Sequence, residues 1–425
     1  MNTQAQTSQK NSSRLQLLFL LLLNYFTFAL VTNIPGMLLP FWKEDFHLSN
    51  TLVSLLGSVF FLAYGLTSLP QGILLDNIGN KKTFLWGVSL VLIGAVSFAL
   101  KPVYGIGMVS IFCIGVGVTA LQLVGNLLVK KIDEDPAKYS RNLTLAQVFC
   151  GIGGAGGGFL IGYLIKNLGF GWQSIYYIVA GLSVLVAALV LMTSIPESKQ
   201  ELNYKKPTTA DYIKLAGNPL MLLFALGIFV YVGIEVGVAT WISTFLVDKF
   251  QIEKTNAAQV VSLYWILQSV GRFTGGFVLN YLEAPKALIV YATGSLISLI
   301  VAVLIPSLSI ASIAFITVGF FTSIMFPSIF SLAVNSFDKS QEGTVAGILC
   351  TAIAGGAFIT PAIGFISEKV VGSLANALII AGTICFAYIA FLGIKAITQK
   401  KTSEQINSTN SSSNQNNSSK QKALV

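Results

Sequence analysis

The chain has 425 residues, 54% hydrophobic and only 10% charged, with a formal net charge of +9 and a mean hydropathy of +0.75. Soluble domains carry about 25% charged residues, so a water-solvated globule is excluded and the chain is read as solvated by lipid. The basic excess does not indicate a nucleic-acid partner, because it is distributed along the chain by membrane topology.

In chain order, residues 1–13 are polar and expected to be disordered. The apolar run 15–40 follows Lys10 and Arg14, but it exceeds the h-region of a signal peptide and no A-x-A site follows, so a retained helix is expected. Further runs fall at 51–75, 83–100, 106–129, 143–165 and 174–194, each near the roughly 20 residues that a crossing needs. These define a first six-helix bundle over 14–196. The polar stretch 197–217, with Lys199, Lys205, Lys206 and Pro207, is expected to link the halves. Runs at 218–246, 257–281, 286–305, 309–335, 343–367 and 373–396 define a second six-helix bundle over 218–398. The tail 399–425, rich in Ser, Asn and Gln, has too little apolar surface to fold. Backbone groups have no water to bond inside a bilayer, and runs of this length satisfy them as helices rather than barrel strands. The expected class is therefore all-α and polytopic, with twelve transmembrane helices.

The two halves echo each other. Gly72-Ile-Leu-Leu-Asp76 followed by Lys82 recurs as Gly276-Phe-Val-Leu-Asn280 followed by Lys286, and Gly153-Gly-Ala155 with Gly162 recurs as Gly355-Gly-Ala357 with Gly364. Repeated halves are the architecture of carriers that rock around a central site. Of the 26 lysines and arginines, 19 fall in segments on the side of the termini, six on the opposite side, and Arg272 lies within a span. Basic loops face the cytoplasm, so both termini are expected there.

The four cysteines, Cys113, Cys150, Cys350 and Cys385, all fall within spans, and the single histidine, His47, falls in a loop. Neither a metal spacing nor a nucleotide loop nor a nucleophile elbow occurs. No metal, cofactor, catalytic residue or direct ATP drive is expected, which argues against a membrane enzyme.

An ionisable side chain at the bilayer centre costs at least about 2.5–3.5 kcal/mol, so such residues mark function. Only Glu235 and Arg272 qualify away from loop ends. Glu235, one turn from Tyr231, is a candidate proton site or hydroxyl ligand, set against a purely structural hydrogen bond. Tyr264, Gln268 and Arg272 recur every four residues and define a stripe, with Arg272 assigned to gating or helix tethering. Gln122 and Asn126 share a face; Asn33 precedes Pro35 and Gly36; Gln147 lies in a glycine-rich span. Amides and aromatic faces suit a neutral, hydroxyl-rich solute, whereas an anion needs several buried cations. Gly72, Asp76 and Lys82 form a candidate conformational latch, with Asp76 able to face a helix N-terminus.

These tracts resemble the major facilitator superfamily. The loop from Gly72 to Lys82 is similar to its G-x-L-x-D-R-x-G-R-K signature, with Asn77 and Asn80 at the usual arginines. Gly271-Arg-Phe-Thr-Gly275, Ser323-Ile-Met-Phe-Pro-Ser-Ile-Phe-Ser-Leu332 and Gly355-Gly-Ala-Phe-Ile-Thr-Pro resemble its fucose/glucose/galactose–proton symporters. That resemblance implies a secondary active transporter of a neutral monosaccharide such as fucose, glucose or galactose. It further implies alternating access, an inner-membrane location and monomeric behaviour among lipids. It places Asn33 and Gln147 at polar binding positions. Gly36 and Gln122 stand where the family carries its proton-coupling carboxyls, leaving Glu235 as the remaining coupling candidate. The alternatives are an uncoupled or sodium-coupled facilitator of another small polar solute, or a drug-type exporter.

Overall fold

The computed structural model describes residues 2–132, 136–196, 209–338 and 341–422, with side chains over 15–129, 149–196, 213–338 and 341–398 except positions 69, 76, 280, 342 and 343. The first half contains α1 (Asn2–Asp45), α2 (Asn50–Ile78), α3 (Asn80–Leu100), α4 (Tyr104–Ile132), α5 (Pro136–Lys166) and α6 (Ser174–Met192). A short α7 (Thr209–Ala216) leads into the second half. There α8 (Pro219–Phe250), α9 (Lys254–Tyr281) and α10 (Ala284–Leu304) are continuous. The next crossing breaks into α11 (Leu308–Thr322) and α12 (Met325–Val334). The one after it is α13 (Glu342–Thr351), a 3₁₀ turn and α14 (Gly355–Phe365), ending in a π-helical turn at Ile366–Val370. Finally, α15 spans Leu374–Lys422. The expected boundaries of the terminal stretches and of the linker fall largely on residues whose side chains are outside the description.

Local chemistry sets the helix starts. Ser49 caps α2 by accepting from Leu52 N at 3.3 Å. Asn218 Oδ1 caps α8 by accepting from Leu220 N at 2.8 Å, and Pro219 takes the first helical position, where its missing N–H costs nothing.

Eleven helical stretches among the described residues are long and apolar enough to cross a membrane. The expected span at 257–281 is the exception. It forms a 28-residue helix, α9, but its apolarity falls short because one side carries Gln268, Ser269 and Arg272. Packing against α5, α8 and α11 holds α9 inside the bundle despite that polarity. The chain is thus an all-helical, multi-pass membrane protein.

Within the first half, α3 packs on α4 and α6, and α1 on α4 and α5; within the second, α10 packs on α11 and α15, and α8 on α14. The halves meet where α5 faces α9, α2 faces α14, and α1 faces α8. Small residues permit the close approach of α5 and α9. A Cβ on Gly158 would collide with Ala258 O and Ser262 Oγ, and in its absence Gly158 N donates to Ser262 Oγ at 3.1 Å.

Ion pairs join the halves at the end opposite the chain termini, here called the far end. Lys43 pairs with Asp248 at 3.0 Å, Lys166 with Glu253, and Lys254 with Glu44. Beside them, Thr51 Oγ1 donates to Glu368 Oε2 at 2.8 Å. These contacts tie the two halves together at the far end.

Candidate substrate cavity

A cavity of about 570 Å³ lies between the halves. Its walls come from α1, α2, α4 and α5 on one side and from α8, α9, α12 and α14 on the other. Interior pockets need polar groups held in place by partners, and here tyrosines supply them. Tyr64 OH donates to Gln122 Oε1 at 2.8 Å, and Tyr25 OH donates to Asn126 Oδ1 at 2.6 Å. Each bond fixes the amide and leaves its NH₂ group as the donor. Asn33 lines the same wall, with Nδ2 donating to Ala29 O at 2.7 Å.

Across the cavity, Glu235 is buried on α8. Its Oε1 accepts from Tyr231 OH and from Gln268 Nε2. The guanidinium Nη2 of Arg272 stands 3.7 Å from the same oxygen. Three donors thus converge on one carboxylate oxygen, and the described contacts assign none to Oε2. Glu235 and Arg272 are the acidic and the basic side chain among the lining residues. They neutralise each other, so the cavity holds a polar pair without net charge.

Asn33, Gln122, Asn126, Tyr231, Glu235, Gln268 and Arg272 all line this cavity. Tyr264 does not line it. It is fully buried behind the wall, where its hydroxyl donates to Glu235 O at 3.3 Å and its ring packs edge-on against Trp265. The cavity face of α9 is instead Val261, Trp265, Gln268, Ser269 and Arg272. Trp265 is the residue that sequence reasoning passed over, although its spacing of four from Val261 and Ser269 repeats down the helix. The side chains of Gln147 and Asp76 lie outside the described residues. Gly72 and Lys82 sit near the α2–α3 join, away from the cavity, with Lys82 exposed. At that join Lys81 Nζ donates to Leu191 O at 2.9 Å and Asn80 Nδ2 to Pro196 O at 2.6 Å, so the loop is fastened to the end of α6.

Gly36 occupies a position where the resemblance places one of the family's coupling carboxyls. A Cβ there would come within 3.1 Å of Ala239 O and of Thr240 Cα on α8. Ser243 Oγ donates to Gly36 O at 2.6 Å next to this contact. Glycine therefore brings α1 and α8 together where a carboxylate would hold them apart.

A membrane-embedded bundle with a central cavity between two halves, mostly apolar but carrying fixed amides and a carboxylate–guanidinium pair, defines a carrier. The chain belongs to the major facilitator superfamily, whose family model matches residues 21–361. It is 32% identical over 406 residues to a glucose/galactose transporter of Brucella abortus, covering 92% of this chain and 96% of that protein. It is 25% identical over 396 residues to the L-fucose-proton symporter of Escherichia coli, covering 86% of this chain and 89% of that protein. A crystal structure of the superfamily transporter FucP in the outward conformation overlays with a TM-score of 0.63 at 24% identity, covering 90% of this chain and 99% of that one.

Proposed function

We propose that this protein carries a neutral monosaccharide across the cell inner membrane by alternating access, with both termini in the cytoplasm. The observation that carries the reading is the charge balance of the cavity. Its amides Gln122 and Asn126 are pinned by tyrosines, and its single carboxylate is matched by Arg272. A charged solute would face an uncompensated desolvation cost in such a site, whereas hydroxyl groups match the free amide NH₂ donors. The names of the relatives in Brucella and Escherichia coli support a sugar.

On this topology the far end is the outer one, and its ion pairs hold the cavity closed to the outside. Gln122, Asn126, Asn33 and Gln268 contact the sugar. Glu235 is the coupling group, with Oε2 free to take a proton or a hydroxyl while Oε1 stays held. Arg272 keeps the carboxylate compensated and serves as the helix tether. Gly72, Asp76 and Lys82 bias the conformational balance from the α2–α3 join. The protein works as a monomer in the bilayer, without cofactor and without enzymatic turnover.

The test is counterflow of a radiolabelled sugar panel in proteoliposomes. Exchange of at least one hexose or 6-deoxyhexose is expected. A reconstituted, folded protein that exchanges none of them overturns the reading.

A further inference from the structure

We infer that Arg272 is a sugar ligand as well as a counter-charge: its guanidinium donates to two neighbouring hydroxyl oxygens of the bound solute and so sets which hydroxyls the carrier requires. The inference rests on the reading of the cavity as a monosaccharide site. Arg272 is the one cation among the described lining residues, and its side chain is 38% exposed although it lies within a crossing. An arginine at membrane depth is costly, and it is found facing partners or a water-filled cavity. Here the hydrogen bonds that hold the Glu235 carboxylate come from Tyr231 and Gln268. Arg272 Nη2 stands 3.7 Å from the same oxygen, beyond the roughly 2.7–3.2 Å of an N–H···O bond. The guanidinium therefore neutralises the carboxylate by proximity without committing its N–H groups to it. It has five donors and no acceptor. Besides Glu235, the groups facing it are the Tyr231 hydroxyl and the Cys150 thiol. Most of the fork is left to the cavity.

The helix that carries the fork is firmly seated. Gly271 and Gly275 lie on either side of Arg272 in sequence, and both press on the break between α11 and α12. A Cβ on Gly271 would meet Ser323 Oγ at 2.5 Å and Phe320 O at 2.8 Å, and one on Gly275 would collide with Ile324. Fixing the backbone there restricts where the guanidinium can swing and lowers the ordering cost of binding. Its exposed N–H groups can be satisfied by water, and a sugar oxygen can take the place of that water without leaving a buried donor unpaired. A planar guanidinium offers paired N–H donors in a fixed geometry, unlike the point charge of an ammonium. Adjacent ring hydroxyls of a pyranose present two oxygens along one edge, which suits such a pair. Cys150 lies on α5, so the guanidinium stands where α5 of one half faces α9 of the other.

The experiment is equilibrium binding to the purified full-length protein, wild type and Arg272→Lys. The probes are whichever of D-glucose, D-galactose and L-fucose the wild type exchanges, its single-deoxy analogues, and glucuronate. Lysine keeps the charge opposite Glu235 but lacks the fork. In the wild type, loss of the hydroxyl at each of two neighbouring carbons is expected to weaken binding about tenfold. In Arg272→Lys the parent sugar is expected to bind roughly tenfold more weakly, and the penalties at those two carbons should largely disappear while the others persist. A residue that only tethers helices would weaken the parent and every analogue by one common factor, and that uniform loss overturns the inference. A wild-type profile without two neighbouring sensitive carbons overturns it as well, whether or not the variant folds. Tighter binding of glucuronate than of the neutral sugar would give the fork to a carboxylate and likewise overturns it. If the wild type exchanges no sugar at all, the transport reading fails and takes this inference with it.

Discussion

Replacing Glu235 by glutamine separates sugar binding from energy coupling. The amide keeps an oxygen for Tyr231 and Gln268 but takes away the counter-charge of Arg272, which stands 3.7 Å from the carboxylate. Breaking a fully buried pair costs about 3–5 kcal/mol, and an exposed one about 0–1. The Arg272 side chain is 38% exposed, so a penalty of about 1–2 kcal/mol lies between those cases. That is well below the roughly 5–15 kcal/mol stability of a folded protein, and Glu235→Gln is expected to fold. The functional change is larger. A carried proton contributes about 2.3 kcal/mol per 100 mV, equivalent to about fortyfold accumulation. In proteoliposomes with an imposed potential and pH gradient, Glu235→Gln is expected to lose that accumulation while retaining counterflow. A variant that concentrates sugar as the wild type does refutes the coupling role. Absence of sugar-induced alkalinisation with wild-type protein would make the carrier a facilitator and Glu235 a binding group.

Gln122→Ala leaves Tyr64 OH without its acceptor and removes one donor from the cavity, so sugar affinity is expected to fall roughly tenfold; unchanged affinity in equilibrium binding would remove Gln122 from the site. Gly158→Val inserts a side chain where Ala258 O and Ser262 Oγ already fill the space; it is expected to open the far end, and unaltered thiol-probe labelling there would count against close packing as the reason for glycine. The hydrogen bond from Lys166 holds the Glu253 carboxyl below the usual carboxylate range. The contact is therefore complete above that range and lost as pH falls through the lowered value. Labelling of the far end is expected to rise in strong acid but not in mildly acidic medium, and in Lys166→Ala that acid dependence should largely disappear.

Much of the fold was legible because lipid leaves so few solutions: an apolar run of crossing length has to be a helix. The span at 257–281 was legible as α9, even though it is the least apolar of the crossings, because it faces a cavity with Gln268, Ser269 and Arg272 and is covered by neighbouring helices. The breaks between α11 and α12 and within the crossing of α13 and α14 were invisible, since they change hydrogen-bond pattern without changing apolarity. Glu235 and Arg272 stood out in the sequence because a charge in an apolar run has to be explained. Their convergence with Tyr231 and Gln268 on one oxygen was not foreseeable, since it depends on how α8 and α9 rotate against each other. Of the α9 stripe, Gln268 and Arg272 face the cavity, but Tyr264 does not and Trp265 stands there instead. Tyr264 and Trp265 are separated by about 100° around a helix, and a spacing of four fits both Tyr264–Gln268 and Val261–Trp265–Ser269. Tertiary packing chose between them. The tyrosine partners of Gln122 and Asn126 come from α2 and α1, 58 and 101 residues away in sequence, beyond any local pattern.

The polarity of α9 has a consequence for biogenesis. An arginine near the middle of a helix adds about 2.5–3.5 kcal/mol to its insertion from the translocon, and α9 lacks the apolar length to offset this alone. Its predecessor α8 has ample apolarity over 32 residues and carries Glu235, whose carboxylate pairs with Arg272. The short connection Gln251–Glu253 makes the two an antiparallel hairpin, so the charges can meet before either helix is committed to lipid. The pair is therefore expected to enter the bilayer together. With a glycosylation reporter placed after α9, a chain carrying α8 should insert, and Glu235→Ala should insert less. Efficient insertion of α9 without α8 would show that the helix needs no partner.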